Sequence, residues 1–106
     1  MEAACRGARE GGGLTLGILP GDARAAANPW VTMAVPTGLG ELRNGLVVRT
    51  SDAMIAIAGE YGTLSEIALA LKAGLRVVGL DTWDIAGVQP APDAVAAVEL
   101  ALGPAG

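Results

Sequence analysis

Apolar residues fall into two alternating rhythms along this chain. Short continuous runs at Leu14–Leu19, Val31–Val35, Met54–Ala58 and Arg76–Leu80, bounded by Gly, Pro or polar residues, predict buried strands. Between them the apolar residues recur at helical spacing. Met1, Ala4, Cys5 and Ala8 stand at i, i+3, i+4 and i+7, which predicts a helix over Met1–Glu10 that Gly11-Gly12-Gly13 stops. Leu39, Leu42 and Leu46 predict a second helix over Leu39–Thr50, weakened by about 1 kcal/mol at Gly45. A third, over Leu64–Ala73, turns Leu64, Ile67, Ala68 and Leu71 inward and stops at Gly74. Asp93 caps a last helix to Leu102 with Val95, Val98 and Leu102 on one face. Asp22–Pro29 is a loop or a short helix, and the stretch through Gln89-Pro90 is irregular. Helices alternating with continuous strands mean βαβ units. All four strands are therefore expected to run parallel in one sheet covered on both faces.

The junction between the third strand and the third helix carries the most chemistry. The apolar run stops at Gly59, and Thr63 opens the helix, so Gly59 and Gly62 sit in a sharp turn. Unpaired N–H groups at a helix start lie at the positive end of its dipole. Glycines let an anion approach them, so the turn is a candidate phosphate site. The same residues also fit a plainer role. Thr63-Leu64-Ser65-Glu66 matches a capping box, in which Thr63 bonds the N–H of residue 66 and Glu66 reaches back.

Gly59-Glu60-Tyr61-Gly62-Thr63-Leu64-Ser65-Glu66 resembles the PGGxGTxxE motif of the LOG-like superfamily. That superfamily has Rossmann-like folds and includes phosphoribohydrolases acting on nucleoside monophosphates. The flanks, Arg43-Asn44 and Ile67 to Gly74, resemble more closely a bacterial branch of DprA-like and molybdenum-cofactor-carrier-like proteins. The resemblance runs from Met1 to about Leu80. It implies a three-layer, Rossmann-like α/β domain with a parallel sheet. It also implies that the chain matches the C-terminal two-thirds of a family member, lacking the N-terminal βαβ unit. By the same analogy the absent strands fill the middle of the sheet, which would leave the strands at Leu14–Leu19 and Val31–Val35 with apolar edges and favour homo-oligomers. The chain departs from the phosphoribohydrolases at Ala58 for proline, Glu60 for glycine and Ser65 for glutamate.

Composition narrows the partners. At 106 residues the chain is one domain at most, 52% hydrophobic, with two Trp, one Tyr and no Phe, so its core is aliphatic. A net charge of −4 with scattered basic residues argues against a nucleic-acid partner. A lone Cys5, no signal peptide and no long apolar run predict a cytoplasmic protein without a membrane span. The absence of His argues against a transition-metal site.

The resemblance also assigns candidate roles. Glu66 corresponds to the glutamate that acts at the ribose–base bond, where a carboxylate can stabilise an oxocarbenium-like state. Arg43 corresponds to the arginine beside the substrate, a fixed charged fork suited to phosphate. Both are the catalytic candidates, and Gly59, Gly62, Thr63 and Arg43 are the binding candidates. Glu60 would repel a phosphate, so either it points outward or the ligand differs from a nucleoside monophosphate. Tyr61 could stack on a base or cover the sheet edge. Cys5 is expected to be a core thiol, Trp30 and Trp83 core or interface residues, and Asn28 and Asp52 turn residues. Asp81, Thr82, Trp83 and Asp84 follow a strand's carboxyl end, where α/β ligands bind, but the two acids favour a loop role beside an anion site. The leading function is binding of a phosphorylated nucleotide or nucleotide-like small molecule. The alternatives are a phosphoribohydrolase that releases free base and a carrier of a pterin-type molybdenum cofactor.

Overall fold

Val77 and Val78 are neighbours in sequence, yet both side chains are fully buried. Successive strand residues point to opposite faces, so both faces of their strand are covered. The computed structural model that shows this describes residues 1–103. It divides into two compact units, Met1–Arg43 and Asn44 onward.

The first unit contains helix α1 (Glu2–Glu10), strand β1 (Leu16–Leu19), a 3-10 turn (Arg24–Ala26), strand β2 (Met33–Pro36) and a second 3-10 turn (Gly40–Arg43). β1 and β2 pair in parallel, Leu16 opposite Met33 and Leu19 opposite Pro36. The most buried residue here is polar. Thr15 donates its hydroxyl to the Trp30 carbonyl at 2.6 Å and accepts the Thr32 N–H at 2.7 Å, while the Thr32 hydroxyl accepts the Thr15 N–H at 3.0 Å. Asn28 takes its expected turn role, its Oδ1 accepting the Trp30 N–H at 2.9 Å. Cys5 is not a core thiol. It is half-buried on a helix that buries no residue, with Asn28 Nδ2 3.7 Å from its Sγ.

The second unit runs α2 (Asn44–Arg49), β3 (Ala53–Ile57), α3 (Tyr61–Lys72), β4 (Arg76–Leu80), β5 (Val88–Pro90) and α4 (Ala94–Leu102). Its sheet has the order β3-β4-β5, all parallel, with Ala56 opposite Gly79 and Val77 opposite Val88. Val48, Ala56, Ile67, Ala70 and Val77 form one buried cluster that joins α2 and α3 to one face of this sheet. α4 packs on β3 and β4, and Val78 and Ala97 are buried outside that cluster. Alternation along β4 puts Val78 on the face away from Val77, which makes this unit a three-layer arrangement. α3 closes in a Schellman motif, with Leu75 N–H on the Ala70 carbonyl and Gly74 N–H on the Leu71 carbonyl.

Four expectations need correction. The strands are all parallel, but they form two sheets rather than one. Alternation of helices and strands predicts their direction, not which strands are neighbours. The helix expected over Leu39–Thr50 does not start at Leu39, because Gly40 has φ +57; Gly40–Arg43 is a 3-10 turn and the α-helix runs only over Asn44–Arg49. Its buried face is Asn44 and Val48, and Leu39, Leu42 and Leu46 are exposed. α4 buries Ala97 instead of Val95, Val98 and Leu102, all of which face water. Finally, Val88-Gln89-Pro90 forms an edge strand, a place where a proline's missing N–H is tolerated. Asp93 is the N-cap expected of it, accepting the Ala96 N–H at 2.8 Å. Among the described residues no helix is long and apolar enough to cross a membrane.

Candidate functional site

The strand-to-helix turn is built by an unusual backbone. Ala58, just beyond β3, has φ +47, and Gly59 has φ +108. A Cβ on Gly59 would collide with the side chain of Thr63, so glycine is required there twice over. α3 begins at Tyr61, with Glu60 as N-cap, three residues earlier than the Leu64 start capped by Thr63 that the sequence predicts. Thr63 is thus inside the first turn, and the capping box centred on it does not define the helix start. The first helical bond runs from Leu64 N–H to the Glu60 carbonyl at 3.1 Å. The N–H groups of Tyr61, Gly62 and Thr63 therefore have no intrahelical partner. Glu60 is exposed and its side chain caps nothing. A carboxylate there already complements the helix dipole, worth about 0.3–1 kcal/mol, which weakens the attraction left for a second anion.

Gly62 contrasts with Gly59. Nothing lies within 4 Å of a Cβ built on it, and its φ is not positive. The fold does not demand glycine here, so the open space over the first turn is the feature to explain.

Three bonds fix the turn from outside. The Thr82 hydroxyl donates to the Ala58 carbonyl at 2.5 Å, and the Trp83 indole N–H donates to the Glu60 carbonyl at 3.1 Å. Asn44, 5% exposed, donates its amide to the Gly62 carbonyl at 3.4 Å. Tyr61 stacks on Trp83 with ring centroids 6.1 Å apart and planes at 28°. Trp83 also packs against the core cluster, so it fills the core and braces the turn together. The bracing roles of Asn44, Thr82 and Trp83 were not read from the sequence. Asn44 left one signal, a polar residue four positions before the buried Val48.

Gly59, Gly62 and Thr63 come together in this turn, and Glu66 follows one turn later on α3, half-buried. Arg43 belongs to the first unit, where it ends a 3-10 turn and donates Nη1 to the Ile18 carbonyl at 3.0 Å. A guanidinium has five N–H donors, so this bond positions the fork without exhausting it.

Residues 1–101 match the model of the SLOG cluster4 family. The chain belongs to that family. It is 45% identical over 80 residues to an uncharacterized protein of Archaeoglobus fulgidus, covering 76% of this chain and 52% of that protein. The chain thus spans about half the length of that curated relative. Its structure resembles the molybdenum cofactor binding protein of the phototrophic bacterium Rippkaea orientalis, with a TM-score of 0.81 and 37% identity over 94% of this chain and 68% of that one. It also resembles the molybdenum cofactor carrier protein of Chlamydomonas reinhardtii, with a TM-score of 0.78 and 33% identity over 98% and 71% of the two chains. These solved structures share the α/β, Rossmann-like fold with parallel strands.

Proposed function

We propose that this chain binds a phosphorylated, nucleotide-like cofactor, and that the cofactor is a pterin of the molybdenum-cofactor type, carried rather than transformed. The observation that carries this reading is the likeness, at 33% identity or more over nearly the whole chain, to two proteins described as binding or carrying that cofactor. Gly59, Gly62 and Thr63 would hold its phosphate through the N–H groups at the start of α3. The backbone at Ala58 bears on the hydrolytic alternative. Proline locks φ near −65°, and φ +47 lies outside its reach. This departure from the proline-led turn of the phosphoribohydrolases supports a carrier over a hydrolase acting through Glu66.

The test is retention of the cofactor. The protein is purified from a host that makes molybdenum cofactor, and bound pterin is measured by fluorescence after oxidation. Retained pterin is expected, and Gly62→Ala should lower it severalfold while leaving thermal stability equal or slightly higher, since alanine fits the space and favours the helix by up to about 1 kcal/mol. No retained pterin, together with free adenine released from AMP, would replace the carrier with the hydrolase.

A further inference from the structure

The chain from Asp81 to Gly87 crosses from β4 to β5 without a helix, and beneath it lies a cavity of about 290 Å³ at the carboxyl ends of those strands. Asp81, Thr82, Trp83, Asp84, Val88 and Pro90 line most of it. Its size is at the low end of ligand pockets, about 300–1,000 Å³, and suits a flat ring system rather than a whole cofactor. Two of its lining residues, Thr82 and Trp83, also bond the Gly59 turn. The cavity and the turn are therefore mechanically one piece.

Its chemistry is the reverse of the turn's. Asp81 and Asp84 are exposed, and neither carboxylate has a hydrogen-bond or ion-pair partner among the described residues. Asp81 is also held at φ +53, a left-handed conformation that non-glycine residues adopt uncommonly. Its place is thus set by the end of β4, whereas Asp84 lies in irregular chain. An ionised carboxylate accepts hydrogen bonds and attracts positive charge, so the ligand it faces must present N–H or O–H donors or a cation. A divalent cation would meet that need, but no group of three ligating side chains exists among the described residues, and an indole in the wall favours an aromatic ring.

We infer that Asp81 reads the 2-amino-4-oxo-pyrimidine edge common to pterins and guanine, with Trp83 forming the wall against which the ring lies. That edge offers a ring N–H and an amino N–H side by side, which two carboxylate oxygens accept in parallel. Adenine offers one donor and one acceptor on the corresponding edge and is refused. The inference rests on the cofactor-binding reading and adds the residue that would distinguish the ring.

Titration calorimetry with GMP, AMP, XMP and pterin-6-carboxylate, in the presence of EDTA, tests it. GMP or the pterin should bind at least tenfold more tightly than AMP, and the tighter of the two identifies the source of the ring. Asp81→Asn should lose tenfold or more for that ligand and gain affinity for XMP, whose oxygen in place of the amino group matches an amide. Asparagine tolerates the left-handed backbone as well as aspartate does, so this variant folds. Asp84→Asn should leave the order of the ligands unchanged. Equal affinity for GMP, the pterin and AMP, or an unchanged order in Asp81→Asn, would overturn the assignment while leaving the carrier reading standing. Ring discrimination without retained pterin would do the opposite. In a separate titration without EDTA, binding of Mg²⁺ alone, lost in Asp81→Asn and without ring binding, would replace the ring site with a cation site.

Discussion

The two units of this chain are held together by different forces. In the second, Ile67, Ala70, Val77 and Val78 are essentially inaccessible to water, and three layers close around them. In the first, no apolar side chain among the described residues is buried, while Leu16 is 54% and Met33 is 63% exposed. What is buried there is Thr15, with its bonds to Trp30 and Thr32. Burial is non-directional and accumulates with area, about 25 cal/mol per Å². A hydrogen bond nets about 1 kcal/mol and is lost when either partner moves. A two-stranded sheet is also short of the three strands that independent stability usually needs. The candidate site is built in the well-buried unit, where a turn can be held at strained dihedrals.

Ile67→Ala should cost the most, about 2–5 kcal/mol, because it opens a cavity at the centre of the cluster. Denaturant unfolding measures this, and a loss below 1 kcal/mol would show that the second unit is not the stability core. Thr15→Val keeps shape and removes the buried hydroxyl, leaving the Trp30 carbonyl without that donor. The expected loss is about 1–3 kcal/mol, felt locally. Amide exchange in β1 and β2 should accelerate roughly tenfold to a hundredfold, with exchange at Val77 and Val78 unchanged. Equal acceleration in both units would erase the distinction.

Much of the second unit is legible in the sequence, and the failures are instructive. Met54 to Ala58 and Arg76 to Leu80 read as strands because continuous apolar runs leave few alternatives. The start of α3 is not legible because Thr63 and Glu66 match the capping-box pattern, whereas Glu60 takes the cap position through its backbone. The buried face of α4 was illegible for a different reason. Ala94 to Leu102 is apolar all round except at Glu99, so polarity gives no contrast. Close approach to the sheet chooses small Ala97 and leaves the larger Val95, Val98 and Leu102 outside. The bracing of the turn was illegible too, since Thr82 and Trp83 meet it from 24 and 23 residues away. Only folding brings them there.

The smallest expected effect on stability sharpens the comparison most. Leu16→Lys and Met33→Glu alter side chains that are already exposed, so each should change unfolding free energy by no more than about 0.5 kcal/mol. Their effect on association should be larger. Leu16 and Met33 stand opposite each other in the register of a parallel pair, so they form a small apolar surface on a two-stranded sheet to which no third strand pairs among the described residues. Such edges recruit other chains, and charges on them are a standard means of preventing it. Light scattering of the unmodified protein at micromolar concentration should give a mass above 10.5 kDa, and the double variant should move it towards that value. A sharp 10.5 kDa mass for the unmodified protein would mean that the exposed strands do not drive self-association. A large stability loss in the double variant would mean that Leu16 and Met33 carry burial after all, and the contrast between the units would have to be redrawn.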